Sequence, residues 1–177
     1  MMLANVNASA SEAIIWFYSA EKTNKLVSQL IVDASREKNS AVIYTGIRTP
    51  SSVIVALLDK MKPNYDRIYM IDAMGKSVVK KNVHIKYIDT PTQLTEISIS
   101  INMIANKNLG KKITLILDSI SALTEYVDAQ MLVRFLHYLI SRAKSAGMRV
   151  ILIADKNDRN NKTILDVAHY CDKIRDT

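Results

Sequence analysis

Six short apolar runs, rich in β-branched and aromatic residues, alternate with longer stretches that carry helical spacing, and this alternation limits the chain to few architectures. The runs are Ala13–Tyr18, Ala41–Thr45, Arg67–Ile71, His84–Ile88, Ile113–Leu117 and Arg149–Ala154. Most are almost continuously apolar, as strands become when helices cover both faces of their sheet. The pattern predicts an α/β fold: three layers, a doubly wound and largely parallel sheet, helices on both faces. With 177 residues and no Pro/Gly/Ser-rich linker or internal repeat, the expectation is one domain spanning 1–177.

The helical stretches are equally periodic. Lys22–Glu37 places Leu26, Val27, Leu30, Ile31 and Ala34 on one stripe. A second helix starts at Pro50, carries Val53, Ile54, Leu57, Leu58 and Met61 inward, and stops at Pro63. A third, Thr92–Asn106, repeats Leu94, Ile97, Ile101 and Ile104. The longest, Asp128–Ala146, points Met131, Leu132, Phe135, Leu136, Leu139, Ile140 and Ala143 to the core and ends at Gly147. A last one runs from Lys162 to Tyr170.

Glycine is scarce: 4 residues, where an average usage of roughly 7% would supply about 12. They are Gly46, Gly75, Gly110 and Gly147, each isolated at a predicted turn, so the glycine-rich dinucleotide fingerprint is absent. The net charge of +7 permits an anionic partner without choosing among nucleic acid, nucleotide and acidic surfaces. One cysteine, Cys171, cannot form an intrachain disulfide, and no secretory leader or membrane-length apolar run is visible. These features predict a cytoplasmic protein with no membrane partner.

In open α/β sheets, ligands bind beyond the carboxyl ends of the strands. Here those ends carry Ser19–Thr23, Gly46–Pro50, Asp72, Asp118 with Ser119, and Asp155–Asp158. The clearest constellation is the strand Ile113–Leu117 delivering Asp118 to its tip. A carboxylate held there can take a hard cation through its water shell. An Asp after an apolar strand also serves as a cap or turn residue of the next element, and spacing alone does not separate the two roles.

The segment Asp118-Ser119-Ile120-Ser121-Ala122-Leu123 resembles the Walker B region of the RecA/KaiC-like P-loop ATPases. The resemblance extends to Arg134-Phe135-Leu136 and Ala146–Leu152 after it, and to Ala41–Thr45 with Arg48-Thr49-Pro50 and Ile68–Ala73 before it. Asp166–Ile174 is similar to the family's closing element, in which a residue pair ending in Asp precedes another strand. It covers nearly the whole chain and implies a RecA-like fold. It also implies side-by-side assembly, either as a homo-oligomer or with an active ATPase as protein partner.

The departures from the family are at the phosphate grip. A P-loop needs G-x-x-x-x-G-K-[ST], because successive backbone amides must curl around phosphate in conformations that suit glycine. Aligned on Lys22-Thr23, this chain reads Trp16-Phe17-Tyr18-Ser19-Ala20-Glu21-Lys22-Thr23. Trp16 and Glu21 replace both glycines; the indole would obstruct such a loop and the carboxylate would repel polyphosphate. The family's catalytic glutamate after the second strand is missing too, since that place reads Gly46-Ile47-Arg48. The resemblance therefore implies a degenerate branch that does not hydrolyse ATP alone, with no cofactor required and no catalytic residue assigned. Lys22, Thr23, Arg48, Asp118 and Ser119 remain as a vestigial or weak nucleotide or anion site. The alternatives are a nucleotide-binding ATPase with an atypical phosphate loop and a nucleic-acid-binding accessory protein.

Other patterns carry less. His84, His137, His169 and Cys171 lack the spacing of a structural zinc site, and no metal site is expected. Ser119 or Ser121 with His137 and Asp118 lacks the nucleophile elbow of a hydrolase. Lysine and arginine cluster at Lys22/Lys25, Lys76/Lys80/Lys81, Lys111/Lys112 and Arg142/Lys144/Arg149; gathered on one face, they could follow a nucleic-acid backbone.

Overall fold

The computed structural model describes residues 11–74 and 83–176. Seven strands form one sheet in the order β4-β3-β2-β5-β6-β1-β7, and every neighbouring pair is parallel. They are β1 (Ala13–Tyr18), β2 (Ser40–Gly46), β3 (Ile68–Asp72), β4 (His84–Tyr87), β5 (Lys112–Asp118), β6 (Arg149–Asp155) and β7 (Lys173–Asp176). β2 is buried along its whole length and β1 and β5 nearly so, which is why their sequences show apolar runs instead of alternation.

The helices are α1 (Thr23–Arg36), α2 (Ser51–Asp59), α3 (Leu94–Lys107), α4 (Ile120–Tyr126), α5 (Ala129–Ser145) and α6 (Lys162–Ala168). Residues of α1 and α2 join Trp16, Val42, Tyr44, Met70, Ile116 and Ile153 in one apolar layer. Residues of α3, α4, α5 and α6 join Ile15, Phe17, Ile43, Leu115, Leu117 and Leu152 in the other. Successive strand residues thus serve opposite layers, as the pleat requires. Polar side chains start several helices: Asp128 accepts from Gln130 and Met131 amides ahead of α5, and Asn161 from the Thr163 and Ile164 amides ahead of α6.

The predicted three-layer α/β sheet is present, with its parallel character complete. The seventh strand follows Cys171-Asp172, and Asp172 ties it inward: its Oδ2 accepts from the Ala13 amide at 2.7 Å and from Lys144 Nζ at 2.8 Å. Two stripe assignments change. Val53 and Met131, expected to face the core, are 42% and 58% exposed. α2 buries the expected Ile54 and Leu58, with Ser51 and Val55 and not Val53 beside them. In α5 the inward stripe begins at Leu132. α4 was not expected from the pattern at all.

Candidate functional site

The strand register builds the candidate site. Trp16 lies level with Ile153, Ile153 with Asp118, Asp118 with Gly46, Gly46 with Asp72, and Asp72 with Tyr87. One row across the carboxyl edge therefore holds two carboxylates around a glycine. Asp118 follows Ile116 by two residues and so points to the layer that holds α1 and α2.

Asp118 is fully buried. Its Oδ2 accepts the Tyr44 hydroxyl at 3.2 Å, while its Oδ1 has no hydrogen-bond partner. Burial pushes the Asp118 carboxyl up to about 6, against the opposing pull of the Arg48 guanidinium and the Tyr44 hydrogen bond. Burial and the neighbouring Asp118 charge likewise hold the Tyr44 phenol well above its ordinary value. The Asp118–Ser119 peptide is cis.

Asp72, the other carboxylate of the row, is committed to the backbone. Its Oδ2 accepts from the Ser51 amide at 2.7 Å and the Ser51 hydroxyl at 2.6 Å, and its Oδ1 from the Met74 amide at 2.9 Å. It thereby supports the first turn of α2. Between the carboxylates, a Cβ on Gly46 would stand 2.7 Å from the Thr49 carbonyl oxygen and 3.1 Å from the Tyr44 hydroxyl. Only glycine lets the β2–α2 connection close over Tyr44.

The connection from β1 to α1 is a tight turn. After Ser19, residues Ala20–Lys22 form a single 3-10 turn and α1 begins at Thr23. The Lys22 amide donates to the Ser19 carbonyl at 3.0 Å, the Thr23 amide to the Ala20 carbonyl, and the Thr23 hydroxyl to the Ser19 carbonyl at 3.0 Å. Trp16 does not obstruct a loop, as the alignment on Lys22-Thr23 had suggested. It is a strand residue, packed in the layer with α1 and covered by the Arg175 guanidinium 5.0 Å from its ring.

Among the five residues singled out from the sequence, Arg48 and Asp118 come close enough for the cation to act on the carboxyl. Lys22 is exposed at the head of α1, and Thr23 is buried beneath it. Their strand, β1, stands two strand spacings from β5, roughly 10 Å. Ser119 is occupied as a cap, its hydroxyl accepting from the Ala122 amide at 3.3 Å to start α4. Sequence reasoning missed Tyr44. A tyrosine within a buried apolar strand was the available signal, because its hydroxyl must find a partner there.

The basic clusters do not share one place. Lys22/Lys25 lie at the start of α1, on the carboxyl edge, whereas Lys111/Lys112, Arg142/Lys144 and Arg149 lie at the amino edge. Lys144 pairs with Asp172 and Arg149 with Glu37. Lys76, Lys80 and Lys81, like Gly75, lie outside the described residues. Among the described residues, no three His, Cys, Asp or Glu side chains are grouped to hold a metal ion, and no helix is long and apolar enough to cross a membrane.

Residues 19–174 match the sequence model of a family of unknown function, DUF7504. The chain belongs to DUF7504. No curated protein is matched by its sequence. Among solved structures, this DUF7504 chain is similar to a KaiC-like protein from the hyperthermophilic archaeon Pyrococcus horikoshii OT3. That similarity has a TM-score of 0.69 at 11% identity, over 95% of this chain and 73% of that one. It is also similar to an uncharacterized protein from Pyrococcus horikoshii solved in complex with an unknown peptide, with a TM-score of 0.66 at 15% identity, over 96% and 78%. The fold is therefore KaiC-like.

Proposed function

We propose that this DUF7504 chain keeps a KaiC-like ATPase scaffold, has given up its phosphate grip, and acts by binding, as a scaffold or regulatory module. The observation that carries this reading is the β1–α1 turn. A phosphate cradle needs backbone amides that are free and aimed outward at the anion. Here the Lys22 and Thr23 amides donate to the carbonyls of Ser19 and Ala20, and the Thr23 hydroxyl donates to Ser19 as well. Glu21 adds a negative charge, exposed in the same turn. These residues do not fit a bound triphosphate with magnesium.

The binding role takes further support from the position after β2, where Gly46-Ile47-Arg48 offers no carboxylate to activate water. A protein partner, either a second copy or an active ATPase of the same fold, is the reading we favour. One of the two similar folds holds an unknown peptide, in line with a binding role.

One observation favours a second reading, a nucleotide-binding ATPase with an atypical phosphate loop. Asp118 Oδ1 is a buried acceptor without a partner, which a water of a hydrated magnesium ion would satisfy on reaching it, with Arg48 beside it for an anion. Phosphate release from magnesium-ATP distinguishes the readings. The expected rate is the same for the chain and its Asp118→Ala variant; hydrolysis by the chain that disappears in Asp118→Ala overturns the proposal.

A further inference from the structure

Cations gather where the strands begin. At this amino edge α1 and α2 end in one layer and α3 in the other, and hydrogen bonds tie the three ends together. The Arg36 guanidinium, at the end of α1, donates to the Met61 carbonyl at 3.0 Å, which sets it between Lys60 and Lys62 just beyond α2. Lys38 follows in the same turn and precedes Asn39. The Asn39 side-chain amide donates to the Gly110 carbonyl at 2.9 Å, and its own carbonyl accepts from the Lys112 amide at 2.8 Å. Lys111 and Lys112 therefore lie next to Lys38, and Lys107 in the last turn of α3 closes the row.

The row is a continuous basic band that crosses the amino edge from the α2 side to the α3 side. All of its cations are exposed, and none has an ion-pair partner among the described residues. Helix C-termini favour cations, which accounts for Arg36, Lys60 and Lys107. Lys38, Lys62 and Lys112 lie beyond the helix ends, and among the described residues their ammonium groups bond to nothing.

The acids at this end are mostly engaged. Glu12, Glu37 and Asp172 pair with Lys173, Arg149 and Lys144, and Asp59 accepts the Tyr65 hydroxyl. Asp33 accepts from Gln29 one turn back along α1, which leaves Asp66 exposed in the turn before β3. A one-signed surface of this kind attracts a polyanion.

We propose that this band binds the phosphate backbone of double-stranded nucleic acid, without regard to base sequence. Lysine meets phosphate as a point charge and lacks the planar fork with which arginine reads a guanine edge. Unpaired bases are held by stacking on exposed aromatic rings, and the band has none: the exposed tyrosines are Tyr126, Tyr138 and Tyr170, all in other elements. A bilayer fits less well, because Leu109 is the one large exposed apolar side chain beside these lysines among the described residues, and a single side chain anchors weakly. The band lies at the opposite end of the strands from Asp118 and stands whether or not the carboxyl edge binds nucleotide.

Fluorescence anisotropy of a short labelled DNA duplex of mixed sequence, titrated with the full chain over a series of salt concentrations, tests the proposal. The logarithm of the affinity is expected to fall linearly with the logarithm of salt, with a slope of about −5 for about six neutralised phosphates. Lys38→Glu combined with Lys112→Glu is expected to weaken binding roughly tenfold or more, and Lys60→Glu combined with Lys107→Glu, at the two ends of the band, roughly fivefold or more. Lys156→Glu, an exposed cation at the carboxyl edge, is expected to leave the affinity unchanged. Circular dichroism should be the same for every variant, since all these side chains are exposed. The proposal is overturned if the duplex does not bind at low salt, if binding is indifferent to salt, or if Lys156→Glu weakens it as much as the band variants do. It is equally overturned if a single strand of the same length binds more tightly than the duplex, or if phosphatidylserine vesicles capture the chain under conditions where the duplex does not.

Discussion

Tyr44 and Asp118, on neighbouring strands, share a hydrogen bond of 3.2 Å at the carboxyl edge of the sheet, and both side chains are fully buried. Tyr44 stands level with Ile116, so the bond runs diagonally to the residue two positions further along β5. The phenol satisfies one carboxylate oxygen and leaves the other bare. The carboxylate faces a tyrosine and not solvent.

Tyr44→Phe removes the hydrogen bond to that carboxylate without changing the ring that fills the layer. The variant is expected to lose about 1–3 kcal/mol of stability at neutral pH, the usual cost of leaving a buried acceptor unsatisfied. It should also push the Asp118 titration above 6, because the hydrogen bond opposes burial. Urea denaturation of both proteins at pH 7.5 checks the first effect; a midpoint that does not move contradicts it.

Asp118 also predicts a pH dependence. Its folded-state value of about 6 lies above the ordinary 3.8, so the folded chain binds this proton more tightly than the unfolded chain. The resulting destabilisation is fully present above pH 6 and is relieved as pH falls from 6 toward 4. A shift of this size amounts to about 3 kcal/mol at most. Asp118→Asn cannot titrate, so the stability difference between the variant and the parent should shrink as pH is lowered across that window. Denaturation midpoints of the pair at several pH values provide the measurement, and parallel curves refute the assignment.

Gly46→Ala places a methyl 2.7 Å from the Thr49 carbonyl oxygen and 3.1 Å from the Tyr44 hydroxyl. Neither the backbone oxygen nor the enclosed phenol can retreat cheaply. The expected cost is about 1–3 kcal/mol, as for other overpacked sites. Combined with Tyr44→Phe, the two effects should add to less than their sum, since both act on the same hydroxyl. A double-mutant cycle in urea reads that coupling, and strict additivity contradicts the close packing described.

Much of this was legible in the chain, for identifiable reasons. Strands buried on both faces leave continuous apolar runs, and so Ala13–Tyr18 was bounded correctly from the sequence. That reading already placed Trp16 in a strand; aligning on Lys22-Thr23 moved it into a loop because Lys-Thr is a weak anchor. α4 was obscured because Ser119 and Ser121 look like turn residues, while Ser119 in fact caps the helix. Tyr44 was hidden by its strand, where only its hydroxyl distinguishes it from an apolar neighbour. Val53 and Met131 are apolar residues beside stripes that otherwise face inward as expected, since apolarity on a helix end does not by itself fix which face turns inward. Asp118 was found as a strand-tip carboxylate, but its burial and its tyrosine depend on register, which no linear pattern displays.

A chain that binds without a phosphate grip cannot hold a triphosphate at its β1–α1 turn. Isothermal titration of the chain with magnesium-ATP measures this directly. With the Lys22 and Thr23 amides engaged inside the turn, no saturable heat is expected at micromolar nucleotide. Micromolar binding that is lost in both Lys22→Ala and Asp118→Ala would contradict it.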